Sequence, residues 1–395
     1  MNSSIPFNYS LEVTNVTIPY VYCNLTEFSK SYRKVHGYLS LFVCVFGSVT
    51  NILNVFVLTR KEMNSLTNSI LTGLAVADLL VMFEYIPFAS HFYLDSTARL
   101  TPSYFSYSWA VFTIFHALFT QIGHFISMCL TVILAIWRYI IITKPQTSGN
   151  VCSSKRTNLI IFMTYVLCPF VCSPLIVSHQ IMEKMKYVGD NGLLIPDAQL
   201  SKYNGSKYNV TLYVVSIGHM KEASFWVYGV IIKLVPCILL TILSERIIAT
   251  LLRTKKRRNR LLNKRCLPQI VVDGKVEKKV NNKEQQADRT TVMLLAVLFL
   301  FLLTEFPQAI LGLLSVLLEP SFQNQCYHPL GDIMDILALT NSSINFVLYC
   351  TMSRQFRNAF GENLRPKIFK YFSRNKKNSP NHCSREGQFT QVTQV

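Results

Sequence analysis

The chain predicts an all-α membrane protein, a bundle of seven transmembrane helices with its N-terminus outside. Three observations carry that prediction. Half of the 395 residues are hydrophobic, only 15% are charged and the mean hydropathy is +0.28, too apolar for an ordinary soluble chain of this length. Seven stretches, at about 36–59, 68–93, 108–136, 158–178, 224–251, 291–318 and 331–351, are apolar enough to span, since a bilayer crossing needs roughly 20 apolar residues. The fourth and seventh read as the weakest. Glycosylation sequons and basic runs then fall on opposite sides of these stretches.

Taken in order, residues 1–35 form a polar tail with sequons at Asn2, Asn8, Asn15 and Asn24. MNSSIPFNYS has neither a basic start nor an apolar stretch, so the first span is expected to act as the targeting signal. Two more sequons, Asn204 and Asn209, lie in a long segment at 179–223 whose GDNG and YNGS signal turns. Glycans are added on the lumenal side, which places both segments outside. RTKKRRNR at 253–260, in a basic loop at 252–290, and RNKK at 374–377 belong inside. The net charge of +18 is then mostly cytoplasmic. It fits topology and attraction to anionic lipid, not nucleic-acid binding. Of eleven cysteines, only Cys23 and Cys326 fall on the oxidising side. They are expected to form a disulfide tying the tail to the loop between spans six and seven. After span seven, Phe356, Phe360 and Leu364 recur every four residues among basic ones. That spacing predicts a short helix on the inner membrane surface within 352–372. Residues 373–395 have the composition of a disordered tail. No internal repeat is visible, which weighs against a transporter built from duplicated halves.

Polar groups inside the spans carry the specific information. Asp78 in LAVADLL is joined by Ser127 on span three, Asn51 on span one, and Asn341, Ser342 and Asn345 on span seven. These groups suit either a bound sodium ion or a hydrogen-bonded knot without one. Glu305, in FLLTEFPQ, needs a cationic partner. Lys233, three residues before Pro236 on span five, is one candidate, and a ligand cation is the other. Glu84 on span two and Asp332 and Asp335 on span seven make the outer halves of the bundle acidic. No protease, kinase or metal motif appears, and an enzyme is not expected.

LAVAD, the WRY of Trp137, Arg138 and Tyr139, Pro236 and Pro307 in spans five and six, and N-x-x-x-Y from Asn345 to Tyr349 together resemble the rhodopsin-like (class A) G-protein-coupled receptors over about 36–365. The departures are specific. Trp137 replaces the acid that usually precedes Arg138, and Glu305 stands where a tryptophan is expected. Phe346 replaces a proline, and Ser244 a tyrosine. Thr113 occupies the place of the third-span cysteine, and 179–223 has no cysteine either.

With LTGLAVADLLVMFEYIPF, WRY and TEFPQ, the chain is similar to the invertebrate myosuppressin receptors, a group of FMRFamide-related neuropeptide receptors. The resemblance implies a multi-pass plasma-membrane receptor for a secreted peptide ending in amidated Arg-Phe. It also implies a heterotrimeric G protein, of inhibitory type, and arrestin as inner partners. The peptide's arginine is expected at Glu305, with Asp335 the strongest rival and Glu84 and Asp332 as others. Its phenylalanine is expected among Tyr85, Trp226, Tyr228 and Phe306, with His116, Thr120 and Gln308 on the same walls. Thr120 occupies the place where amine receptors carry an aspartate, and span seven lacks the Schiff-base lysine of opsins. Binding would favour a state in which span six, bent at Pro307, moves outward at its inner end. Arg138 and Tyr349 would line the groove so opened. A receptor for another peptide, or a polytopic transporter or channel, is the alternative. Serines and threonines in the tail are candidate kinase sites, and the terminal TQV resembles a PDZ-type ending.

Overall fold

The computed structural model describes residues 21–94, 98–144, 146, 148–149, 152–218, 221–264, 282–318 and 320–364. Asn2, Asn8, Asn15, residues 265–281 of the basic loop and the tail from 365 onward lie outside these. Within them, seven helices are long and apolar enough to cross a membrane: Thr26–Leu58, Leu66–Leu94, Tyr107–Thr143, Ser154–Ser178, Ala223–Thr254, Leu298–Leu317 and Gln323–Thr351. They are spans one to seven below. Asn24, Asn204 and Asn209 are exposed.

Helix ends depart from the apolar runs because a helix continues for as long as its backbone bonds are satisfied, not merely while it is apolar. Span one begins at Thr26, so the last ten residues of the expected tail are helical. Span five continues as helix to Lys264, taking in the first part of the basic loop. Span seven opens with a π-helical turn, Gln323–Tyr327, that carries Cys326. Cys326 is therefore part of a helix, not of a loop. Its bridge to Cys23 has a Cα–Cα distance of 5.4 Å, and the Tyr22 backbone N–H donates to Gln325 Oε1 at 2.8 Å beside it. A short amphipathic helix, Arg354–Leu364, follows span seven. Its Phe356 and Phe360 rings pack on Phe346 at 5.8 and 5.4 Å between centroids. Phe346, in place of the family's proline, thus anchors this helix.

The outer segment 179–223 is more ordered than its turn signals imply. Strand β1, His179–Gly189, pairs antiparallel with β2, Lys207–Ile217, in one continuous register. GDNG begins at the end of β1, with Gly192 at φ +72°, a conformation that favours glycine. The hairpin is pinned without the family's usual disulfide. Leu194 N–H donates to the Leu100 carbonyl at 2.6 Å, and Gly218 N–H to the Ser178 carbonyl at 2.8 Å.

Span five is irregular where it matters. Residues Val227–Leu234 are π-helical and lead into Pro236, whose missing N–H breaks the regular ladder. This widened turn carries both Gly229 and Lys233. Gly229 touches span six so closely that a Cβ there would stand 2.9 Å from the Gly312 carbonyl oxygen. Backbone cannot turn aside as a side chain can. Gly229→Ala is therefore expected to lower the stability of the purified receptor by about 1–3 kcal/mol, the usual cost of overpacking. Thermal unfolding measures it, with Gly331→Ala as the control, since a Cβ at Gly331 meets nothing within 4 Å.

Candidate functional site

The outer half of the bundle gathers the intramembrane acids. Glu84 is buried on span two, with both oxygens within 3.0 Å of His116 Nδ1. Thr120 Oγ donates to it at 3.1 Å. The His116 ring stacks on Phe88 at 3.5 Å. Tyr85 is fully buried, and its hydroxyl lies 3.2 Å from His36 Nε2 on span one. On span seven, Asp332 accepts from the Tyr93 hydroxyl at 2.8 Å and faces Arg33 Nε at 3.5 Å. Gln308 Nε2 donates to the Met334 carbonyl at 2.7 Å, tying span six to span seven.

Glu305 answers to Lys233. The Lys233 ammonium donates to Glu305 Oε2 at 2.8 Å, and both side chains are 2% exposed. Of the two partners open in the sequence, the structure pairs Glu305 with the internal one. The contact joins span five just before Pro236 to span six just before Pro307.

That leaves Asp335. Its side chain is exposed although it sits among span residues. It lies within electrostatic reach of Lys233, Tyr85 and Tyr228. Among the described residues no cation pairs with it and no hydrogen bond reaches it. Nearby, a cavity of about 210 Å³ opens between the outer ends of the spans and the hairpin, lined by Gln121, His179, Tyr228 and Tyr327 among others. Gln121 Nε2 is buried there without a partner among the described residues. Phe306 does not join these walls. It shares an outward stripe with Leu303 and Ile310 and is 45% exposed, because Glu305 and Gln308 claim the inward face of span six. Trp226 is likewise half exposed and outside the cluster.

Deeper in the bundle, Asp78 accepts from Ser127 Oγ at 2.8 Å and from Asn345 Nδ2 at 3.3 Å, with Ser342 beside it. Asn51 Nδ2 donates to the Gly47 and Ser342 carbonyls, each at 3.0 Å, linking spans one and seven. Asn341 is half-buried on the same span.

At the inner edge, Trp137 turns toward span four and donates from Nε1 to Thr157 Oγ at 3.0 Å. Arg138 Nε is buried with no partner among the described residues, as is Ser244 Oγ. Tyr139 packs with the inner halves of spans five and six. Tyr349 is buried against Phe356 at 5.6 Å.

His36, Arg33, Tyr93, Gln121 and Thr157 were absent from the sequence-derived candidates. A lone histidine or tyrosine at the end of an apolar run is indistinguishable from core until its neighbours are known. Only the departure at Trp137 pointed toward an altered contact, and it did not name Thr157.

A seven-span bundle with a polar centre, an arginine at the inner edge of span three and acids gathered in its outer half has the features of a G-protein-coupled receptor. The chain belongs to the family described as serpentine type seven-transmembrane GPCR chemoreceptors of the Srw type, whose model matches residues 38–366. It is similar to the G-protein coupled receptor dmsr-1 of Caenorhabditis elegans, with 30% identity covering 83% of this chain and 68% of that one. It also resembles the sex peptide receptor of Drosophila melanogaster, at 25% identity over 83% of this chain and 72% of that one. The FMRFamide receptor of the same fly is 22% identical, over 86% of this chain and 55% of that receptor. The protein is thus a multi-pass receptor of the plasma membrane, not an enzyme.

Proposed function

We propose that this receptor binds a secreted neuropeptide ending in amidated Arg-Phe, of the FMRFamide or myosuppressin type, and works as a class A receptor through a heterotrimeric G protein of inhibitory type. Arrestin acts on the same inner face, and anionic lipid lies against the basic inner edge. The names of the sex peptide and FMRFamide receptors support a peptide ligand. One observation carries the arginine. Glu84, Asp332 and Glu305 already face His116, Arg33 and Lys233, whereas Asp335 is exposed and has no ion pair among the described residues. An arginine fork suits that carboxylate and keeps its charge when the bound peptide covers the site. The peptide's phenylalanine would enter beside Tyr228 and Tyr327.

The test varies receptor and peptide together. Asp335→Asn is expected to cost about 2–5 kcal/mol in binding an amidated Arg-Phe peptide, as when one member of a buried charged pair is removed. It should cost far less for the same peptide with citrulline in place of arginine. Equal losses for both peptides would refute the contact. An arginine-dependent loss in Glu305→Gln, but not in Asp335→Asn, would move the contact to Glu305.

The Asp78 cluster carries the second proposal, an allosteric sodium ion that stabilises the resting state. The donor set of carboxylate, hydroxyl and amide oxygens suits a hard cation, although direct hydrogen bonds close the same cluster without one. Raising sodium is expected to weaken agonist binding, and Asp78→Asn to abolish that response. Agonist affinity indifferent to sodium would leave the hydrogen-bonded knot as the whole account.

A further inference from the structure

We infer that His36, Asp332 and Asp335 form a binding site for a divalent transition-metal ion of the zinc class, bridging the outer ends of spans one and seven. One ligand atom from each residue lies within 4.8 Å of the other two. The His36 ring is fully buried, with Nε2 held by the Tyr85 hydroxyl at 3.2 Å and Nδ1 left without a partner among the described residues. An imidazole oriented through one nitrogen, with the other bare, is arranged as metal-bound histidines are. Asp332 is oriented in the same way by the Tyr93 hydroxyl. Its other oxygen faces Arg33, whose side chain is 52% exposed and free to swing outward when an ion arrives. Asp335 is exposed and supplies the path from outside.

The ligand chemistry selects the ion. One imidazole nitrogen with two carboxylates favours zinc and its neighbours over sodium, magnesium or calcium, which prefer oxygen alone. Three protein ligands leave a fourth position for water, as in other zinc sites with an open position. Zinc bonds of about 2.0–2.2 Å set tetrahedral ligand atoms about 3.3–3.6 Å apart. The ion would therefore draw span seven toward span one by about 1 Å from separations of up to 4.8 Å. The two negative charges would be neutralised, and Asp335 would no longer be free for an incoming arginine. The site stands apart from the peptide reading, because metal binding is measured with no peptide present.

The experiment titrates purified, untagged full-length receptor, stripped with chelator, with zinc against a chromophoric indicator. Cobalt absorption in the visible region reports the coordination geometry. One saturable site is expected, weakened at least about tenfold by Asp335→Asn, by Asp332→Asn and by His36→Gln. Asp197→Asn, in the outer hairpin, should leave it unchanged. Thermal unfolding checks that each variant is folded. If His36→Gln fails that check, the exposed Asp335 and its neighbour Asp332 carry the test. Absence of saturable zinc binding, or binding unchanged in both aspartate variants, would overturn the inference.

Discussion

Glu305→Gln and Lys233→Met are each expected to raise signalling in the absence of peptide. The two side chains meet at 2.8 Å, each 2% exposed, across the contact between spans five and six. Removing one member strands the other as an unpaired buried charge, which costs about 3–5 kcal/mol. That cost falls on the state in which the pair is closed. If resting and active states differ by a few kcal/mol, a loss of about 3 kcal/mol from the resting side shifts their ratio roughly a hundredfold. The geometry favours this outcome because the pair sits one turn from both Pro236 and Pro307, where the two spans bend. Ligand-free nucleotide exchange, normalised to surface expression, measures it. The double variant Lys233→Met/Glu305→Leu separates a lock from a mere packing element. With no stranded charge, it should express better than either single variant while keeping the raised basal activity. Single variants that lose expression but stay silent would show that the pair only holds the fold.

Arg138→Ala is expected to abolish peptide-stimulated exchange while leaving surface expression and peptide affinity intact. Arg138 stands on the inner half of span three, far from the outer cavity, and its Nε has no partner among the described residues. Its neighbour cannot serve as counter-ion, since the Trp137 indole carries no charge and donates its N–H to Thr157 at 3.0 Å. A guanidinium held in this way gains most when span six opens and brings acceptors to it. Trp137→Asp would place a carboxylate beside it and should lower basal exchange. The indole packing and its bond to span four would be lost in the same step. Trp137→Phe is the control for that loss and should cost only about 1 kcal/mol, because Thr157 Oγ keeps its own bond to the Ser153 carbonyl at 3.0 Å. Retained coupling in Arg138→Ala would remove this arginine from the switch.

Much of the architecture was legible in the chain itself. Bilayer thickness sets the length of a span, and sequons and basic runs report the side of each loop, so seven crossings and their orientation follow from local composition. The grouping of Asp78 with Ser127 and Asn345 was legible for a related reason: so few polar groups lie deep in the spans that those present must satisfy one another. The hairpin was not legible, because β1 and β2 carry no clean alternation and their pairing is a long-range choice.

Composition and side-counting thus determined a seven-span membrane protein, its topology and the pairing of Cys23 with Cys326, and the motifs supplied the resemblance to a receptor family. Tertiary structure alone decided which acid is spent and which is free. An α-helix turns its side chains by about 100° per residue, so which residues of two spans meet depends on their relative depth and rotation. The π-helical stretch Val227–Leu234 shifts that rotation just where Lys233 stands, and no 3.6-residue periodicity reports it. For that reason Glu305 could be read as an acid in need of a partner, but only the packing of spans five and six could assign it to Lys233 and leave Asp335 without an ion pair among the described residues.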